Sequence, residues 1–163
     1  MKYLDASADI SDDGLYRYAL YRRLSMGERT VLFVGLNPST ADATKDDPTI
    51  RRCVGFARAW GFDWLLMGNL YAYRSTDPKV LPTVADPVGP FNHDRLKWMT
   101  HRAELVVAAW GKGQTACLNF NGDDVARWIL SLPQTRCLGR NQDGTPKHPL
   151  YLPAATALRD VHA

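Results

Sequence analysis

Apolar and polar positions fall into segments of two different periods along the chain. In residues 15–24, Tyr16, Tyr18 and Leu20 alternate with Arg17, Ala19 and Tyr21, a period of two that predicts a strand with one wet face. Val31, Leu32, Phe33 and Val34 form an unbroken apolar run, which predicts a buried strand over residues 30–34. Between them SMGER reads as a tight turn, so the two strands are expected to pair as an antiparallel hairpin after a polar, irregular lead-in over residues 1–14.

The spacing then becomes helical. Asp47 can cap a helix with Pro48 at its first position; Ile50, Val54, Phe56 and Ala57 make its apolar face, and Gly61 stops it. A core strand is predicted over residues 64–70, followed by a proline-punctuated loop over residues 71–90, of a length that a compact domain keeps for function. FNHDRLKWMTHRA reads as a helix, ELVVAAW as a core strand ending at Gly111, and GDDVARWILSL as a helix. TRCLGRN reads as a short strand, QDGTPKHPLYLP as a loop and AATALRDVHA as a last short helix.

Strands alternating with helices predict a single α/β domain over residues 1–163 with a mainly parallel central sheet. Such sheets bind ligands beyond the carboxyl ends of their strands. Four loops, residues 35–42, 69–74, 110–114 and 143–152, share that rim.

Composition narrows the chemistry. Residues that are 45% hydrophobic and 23% charged, in a chain of 163, suit one soluble domain with a core of its own. A net charge of +3 permits contact with nucleic acid without demanding it. Cys53, Cys117 and Cys137 stand alone with no CxxC pair, which argues against zinc or an iron–sulfur cluster, so no metal or cofactor is expected. An odd cysteine count without a signal peptide points to a reducing cytoplasm, and the longest apolar stretch, residues 105–110, is far too short to cross a membrane.

The loop GLNPSTAD is the strongest local signal. Gly35 lets a ligand approach the backbone and Pro38 sets the bend. Asn37 can hold a water or read a base edge, or it can bond its own backbone as an ordinary turn residue. The loop lacks GxxxxGK, GxGxxG and GxSxG, which excludes a phosphate loop, a dinucleotide fingerprint and a nucleophile elbow. His148 lies on the same rim, and Leu150, Tyr151 and Leu152 are apolar where a surface loop should be polar. That cluster is either core packing or a wedge for a base stack. In NLYAYR, Tyr71 and Tyr73 either stack on a ligand ring or cover the core edge, and Arg74 can meet phosphate. Asp42, Asp46 and Asp47 offer a third reading, the metal site of an unrelated hydrolase, although Asp47 already serves as a cap.

LNPSTAD, DDPTIRRC, NLYAYRSTDP, DPVGP, AWG and HPLYL occur in this order in a bacterial and phage family defined as a domain of unknown function, which the chain resembles over residues 15–153. More distantly, the layout resembles the uracil-DNA glycosylase superfamily. There a strand ends in a Gly-x-Asn-Pro-Gly-like motif near the start and a His-Pro-Ser-like motif stands near the end, matched here by GLNPS and HPL. NLYAYRSTDP and VVAAWG are similar to segments of its cluster-containing branch, whose four cysteines this chain lacks. That resemblance implies a three-layer α/β/α sandwich, and hydrolysis of the bond between a nucleobase and its sugar. Asn37 would position water, His148 would stabilise the leaving base, and Leu150 would fill the vacated stack. Gly35, Leu36, Pro38, Ser39, Asp42, Asn69, Tyr71, Tyr73 and Arg74 would line the substrate site, with Arg51, Arg140 and Lys147 beside it. The implied partner is a nucleic acid or a nucleotide, and the alternative is a module of the same fold that binds without cleaving.

Overall fold

The structure, a computed structural model, describes residues 2–112 and 122–162. Cys117 and the far end of the rim loop at residues 110–114 lie outside the described residues.

The chain forms a mixed α/β fold around a seven-stranded sheet in the order β1-β2-β4-β3-β5-β6-β7. The strands are β1 (Asp5–Ile10), β2 (Arg17–Arg23), β3 (Thr30–Gly35), β4 (Trp64–Asn69), β5 (Leu105–Ala108), β6 (Thr135–Cys137) and β7 (Arg159–Asp160). The helices are α1 (Pro48–Ala59), α2 (Asn92–Arg102) and α3 (Gly122–Ser131). The central strands β4, β3, β5 and β6 run parallel; β1 and β2 add antiparallel strands at one edge, and β7 adds one at the other.

The unbroken apolar run of β3 is explained by its place between two parallel neighbours. Leu32 and Val34 pack with apolar residues of α2 and α3, whereas Val31 and Phe33 pack with those of α1. Helix α1 starts where the sequence places it. Asp47 Oδ1 accepts the Ile50 N–H at 2.9 Å, Pro48 follows, and the face of Ile50, Cys53, Val54, Phe56 and Ala57 is buried.

Four expectations need correction. Residues 5–10 are not an irregular lead-in but strand β1, so the N-terminal antiparallel hairpin is made by β1 and β2. Residues 15–24 do not pair with residues 30–34, because both edges of β3 are taken by β4 and β5, and β2 instead pairs antiparallel with β4. Nor does β2 have a wet face: Arg17 and Arg22 are buried at 2% and 0% exposure. The register shifts between Asp9, opposite Ala19, and Ile10, opposite Arg17, and such a bulge breaks the period of two on which the wet face was predicted. Finally, residues 154–162 do not form a helix. Arg159–Asp160 pairs with β6, whose open edge offers a ladder where so short a helix would be marginal.

Candidate functional site

The cleft lies beyond the carboxyl ends of the parallel strands. The loops after β3 and β4, the first turn of α1, the residues after β5, and a 3-10 turn at Pro149–Tyr151 enclose about 460 Å³, the size of a small-molecule site.

The first wall is built by two strand ends held in register. Leu70 N–H donates to Gly35 O and Tyr71 N–H to Leu36 O, both at 2.9 Å, so the loops leave the sheet side by side. Asn37 Nδ2 donates to Ser75 O at 2.9 Å and to Pro38 O at 3.2 Å. Both amide hydrogens are thereby directed to protein carbonyls, and Oδ1 remains as the acceptor. Asn69, at the end of β4, is 2% exposed, and its Nδ2 has no hydrogen-bond partner. It fits because position 35 is glycine: a Cβ there would stand 2.8 Å from Asn69 Oδ1 and 2.9 Å from Met67 Cε.

A second wall carries His148. Gly111 N–H donates to Pro146 O at 3.0 Å and Lys147 N–H to Gly139 O at 2.9 Å, which tie this loop to the segments after β5 and β6. His148 caps the 3-10 turn, its Nδ1 accepting the Leu150 N–H at 3.2 Å. In the neutral ring the proton must then sit on Nε2. Burial pushes the imidazole below its ordinary pKa of 6.5, with the nearby Asp47 carboxylate opposing the shift in part. His148 is therefore a neutral donor at pH 7.

The third wall comes from Arg17 and the start of α1. Arg17 Nη1 donates to Ala41 O at 3.0 Å, while its buried Nε has no partner. Burial lowers the guanidinium pKa to about 10, against an attraction from Asp47, so the group stays charged at neutral pH. Asp47 and Thr49 line the cleft beside it.

Eight of the residues expected at the site do meet here: Gly35, Leu36, Asn37, Pro38, Ser39, Asn69, His148 and Leu150. Asp42, Tyr71, Tyr73 and Arg74 do not line it. Asp42 Oδ1 is used by the N–H groups of Thr44 and Lys45 at 2.9 and 2.8 Å, which lower the pKa of its carboxyl. Tyr71 is fully buried in the core cluster of α2 and α3, and Tyr73 packs against that cluster with its ring edge-on to Tyr16. Arg74 reaches Gly14 O at 3.5 Å instead. The tyrosines thus take the core-edge alternative, because the segment that carries them runs on beside the start of β2, with Arg17 N–H donating to Ala72 O at 3.0 Å and Tyr73 bridged to Tyr16. Arg51, Arg140 and Lys147 also lie off the cleft, and Lys112 lines it in their place.

The three aspartates do not gather as a metal site. Asp47 caps α1, Asp42 caps the turn that follows it, and Asp46 pairs with the buried Arg22 at 2.9 Å. No group of three or more potential ligands occurs among the described residues. Sequence reasoning missed Arg17, Thr49, Ser75 and Trp110 at the cleft. The one available signal was Arg17 itself, a charged residue at the start of a strand that carries two more arginines, Arg22 and Arg23, at its far end. Tyr151, read as part of an apolar cluster, stands 87% exposed at the cleft beside the half-buried Leu150.

No helix among the described residues is long and apolar enough to cross a membrane. No curated protein and no solved structure matches the chain. Over residues 17–150, which carry nearly every group lining the cleft, it matches the family described as protein of unknown function DUF1643, and it belongs to that family.

Proposed function

We propose that the cleft is a nucleobase site and that the protein is a DNA glycosylase-like N-glycosidase acting on a modified or damaged base. In this reading the fold is a three-layer α/β/α sandwich of the uracil-DNA glycosylase kind. One observation carries it: Asn37 and His148, distant in sequence, line one cleft with their hydrogen-bonding senses already set. Asn37 presents an acceptor that can hold a water by its hydrogen. His148 presents Nε2–H, a donor for the base oxygen on which charge collects as the bond to the sugar lengthens.

Water oxygen bonds to the anomeric carbon as the carbon–nitrogen bond breaks. The bonding pair leaves with the base, and a proton from the water ends on the base. His148, neutral beforehand, stabilises that charge most in the transition state. The exposed ring of Tyr151 is better placed than Leu150 to enter a base stack.

The experiment is a panel of oligonucleotides carrying modified bases, treated with protein and then with alkali to cut abasic sites. Cleavage by the wild type, lost in Asn37→Ala and His148→Ala, is expected. Absence of abasic product across the panel, with saturable binding, would establish the alternative of a non-cleaving binding module. That alternative is favoured by the use of Asp47, a carboxylate at the cleft, as a helix cap rather than as a general base.

A further inference from the structure

The wall formed by Arg17 and α1 has no role in the chemistry just described. Its composition is nonetheless specific. Arg17 is 2% exposed, its guanidinium lies within hydrogen-bond reach of one carbonyl, Ala41 O, and it keeps an unpartnered Nε. It forms no ion pair within 4.0 Å among the described residues, unlike Arg22 on the same strand, which holds Asp46. A buried cation without an ion pair costs several kcal/mol, and one carbonyl with the attraction of Asp47 offsets only part of it; a fold that keeps such a group at a cavity wall has a reason outside its own stability. Beside it, Asp47, Thr49 and Ile50 bring the N-terminal turn of the twelve-residue α1 to the same cavity. Asp47 Oδ1 satisfies the Ile50 N–H, and Pro48 has none to offer. The N–H of Thr49 is thus left at the positive end of the helix dipole. Lys112 adds a further cation to the lining.

We propose that this wall is a subsite for a terminal oxyanion carried by the ligand, a phosphate monoester or a carboxylate, held by the Arg17 guanidinium and the N-terminus of α1. The bulge in β2 makes it possible, since the register shift opposite Ile10 is what turns Arg17 out of the alternation of its strand. A phosphodiester inside a polymer carries a nucleoside on each side, which a side chain 2% exposed leaves little room to admit. The group that arrives here is an end: the 5′-phosphate of a free nucleotide, or an acidic substituent on the base itself. The inference rests on the nucleobase reading only for what the oxyanion is attached to.

Inorganic phosphate is the first probe. Its effect on melting temperature is read against chloride at matched ionic strength in the wild type, Arg17→Gln and Asp47→Asn. The wild type is expected to gain stability saturably, and Arg17→Gln to lose affinity about tenfold or more, as for a charge-assisted hydrogen-bonded pair. Asp47→Asn keeps the helix cap but removes the competing negative charge, so it should bind phosphate roughly three- to tenfold more tightly. No saturable effect in the wild type, or an equal one in Arg17→Gln, overturns the proposal. If Arg17→Gln does not fold, Asp47→Asn decides, and phosphate affinity unchanged or weakened there overturns it. The second arm compares deoxyuridine with its 5′-monophosphate, and uracil with 5-carboxyuracil. A preference for the monophosphate identifies a nucleotide, a preference for the carboxylate identifies an acidic base, and no preference in either pair overturns the assignment of the oxyanion to a nucleobase or nucleotide ligand. Phosphate binding that depends on Arg17, together with no abasic product in the oligonucleotide screen, would remove the DNA glycosylase reading while keeping the subsite.

Discussion

Arg22 is expected to hold the cleft's framework, and its removal is the sharpest test of the fold described above. Its side chain is fully buried. Nη2 and Nε lie 2.9 and 3.0 Å from Asp46 Oδ1, Nη2 donates to Asp42 O at 2.7 Å, and Nη1 donates to Ala43 O at 3.2 Å. Residues 42–46 therefore wrap around one guanidinium, and the next residue, Asp47, begins the helix whose first turn lines the cleft. Arg22→Met roughly preserves volume but leaves Asp46, 12% exposed, without its cation and two carbonyls without these donors. Breaking a buried pair from one side costs about 3–5 kcal/mol. A solvent-exposed pair such as Arg127 with Asp124, one turn apart on α3, contributes no more than about 0.5 kcal/mol. Urea unfolding at pH 7 of Arg22→Met, Arg127→Met and the wild type measures both, and the melting temperature of Arg22→Met should fall by roughly 10 °C. A loss in Arg22→Met below about 1 kcal/mol would refute the reasoning, for it would mean that the loop does not depend on the guanidinium.

His148→Asn can keep the cap on the Leu150 N–H while losing the ring donor, so it should retain stability yet lose on the order of a hundredfold in single-turnover rate. His148→Ala should lose the same rate and also about 1 kcal/mol of stability by urea unfolding. Because the folded His148 pKa is lowered, the unfolded chain binds the extra proton first. Stability should hold above pH 6.5, fall as pH drops below it at no more than about 1.4 kcal/mol per unit, and level off below the folded pKa. His148→Asn should lack this histidine's share of the slope. Gly35→Ala puts a methyl 2.8 Å from Asn69 Oδ1 and should cost roughly 1–3 kcal/mol, with Asn69 and Met67 displaced in a crystal structure. Tyr151→Ala should change stability by less than about 0.5 kcal/mol, since the ring is 87% exposed, but should weaken oligonucleotide binding in a fluorescence titration.

Local chemistry made several elements legible in the residues alone. The run Val31 to Val34 had to be a buried strand, the Asp47-Pro48 pair had to open a helix, and the strand–helix alternation placed GLNPS and KHPL on one rim, where Asn37 and His148 are found. These depend on capping, periodicity and the handedness of crossovers, which act within a few residues or follow from chain order. What pairs with what depends on the competition between distant segments, and only the tertiary structure decided it. Strand β2 lies beside β4 rather than β3 because β3 is more completely buried between two parallel neighbours. Tyr71 and Tyr73 went to the core side, although NLYAYR alone allowed either face. A bulge opposite Ile10 turned Arg17 from an expected surface residue into a cavity wall. A register shift of one residue reverses the side on which every following side chain falls, and its free energy is set by the partner strand, so it leaves no mark in the segment's own sequence.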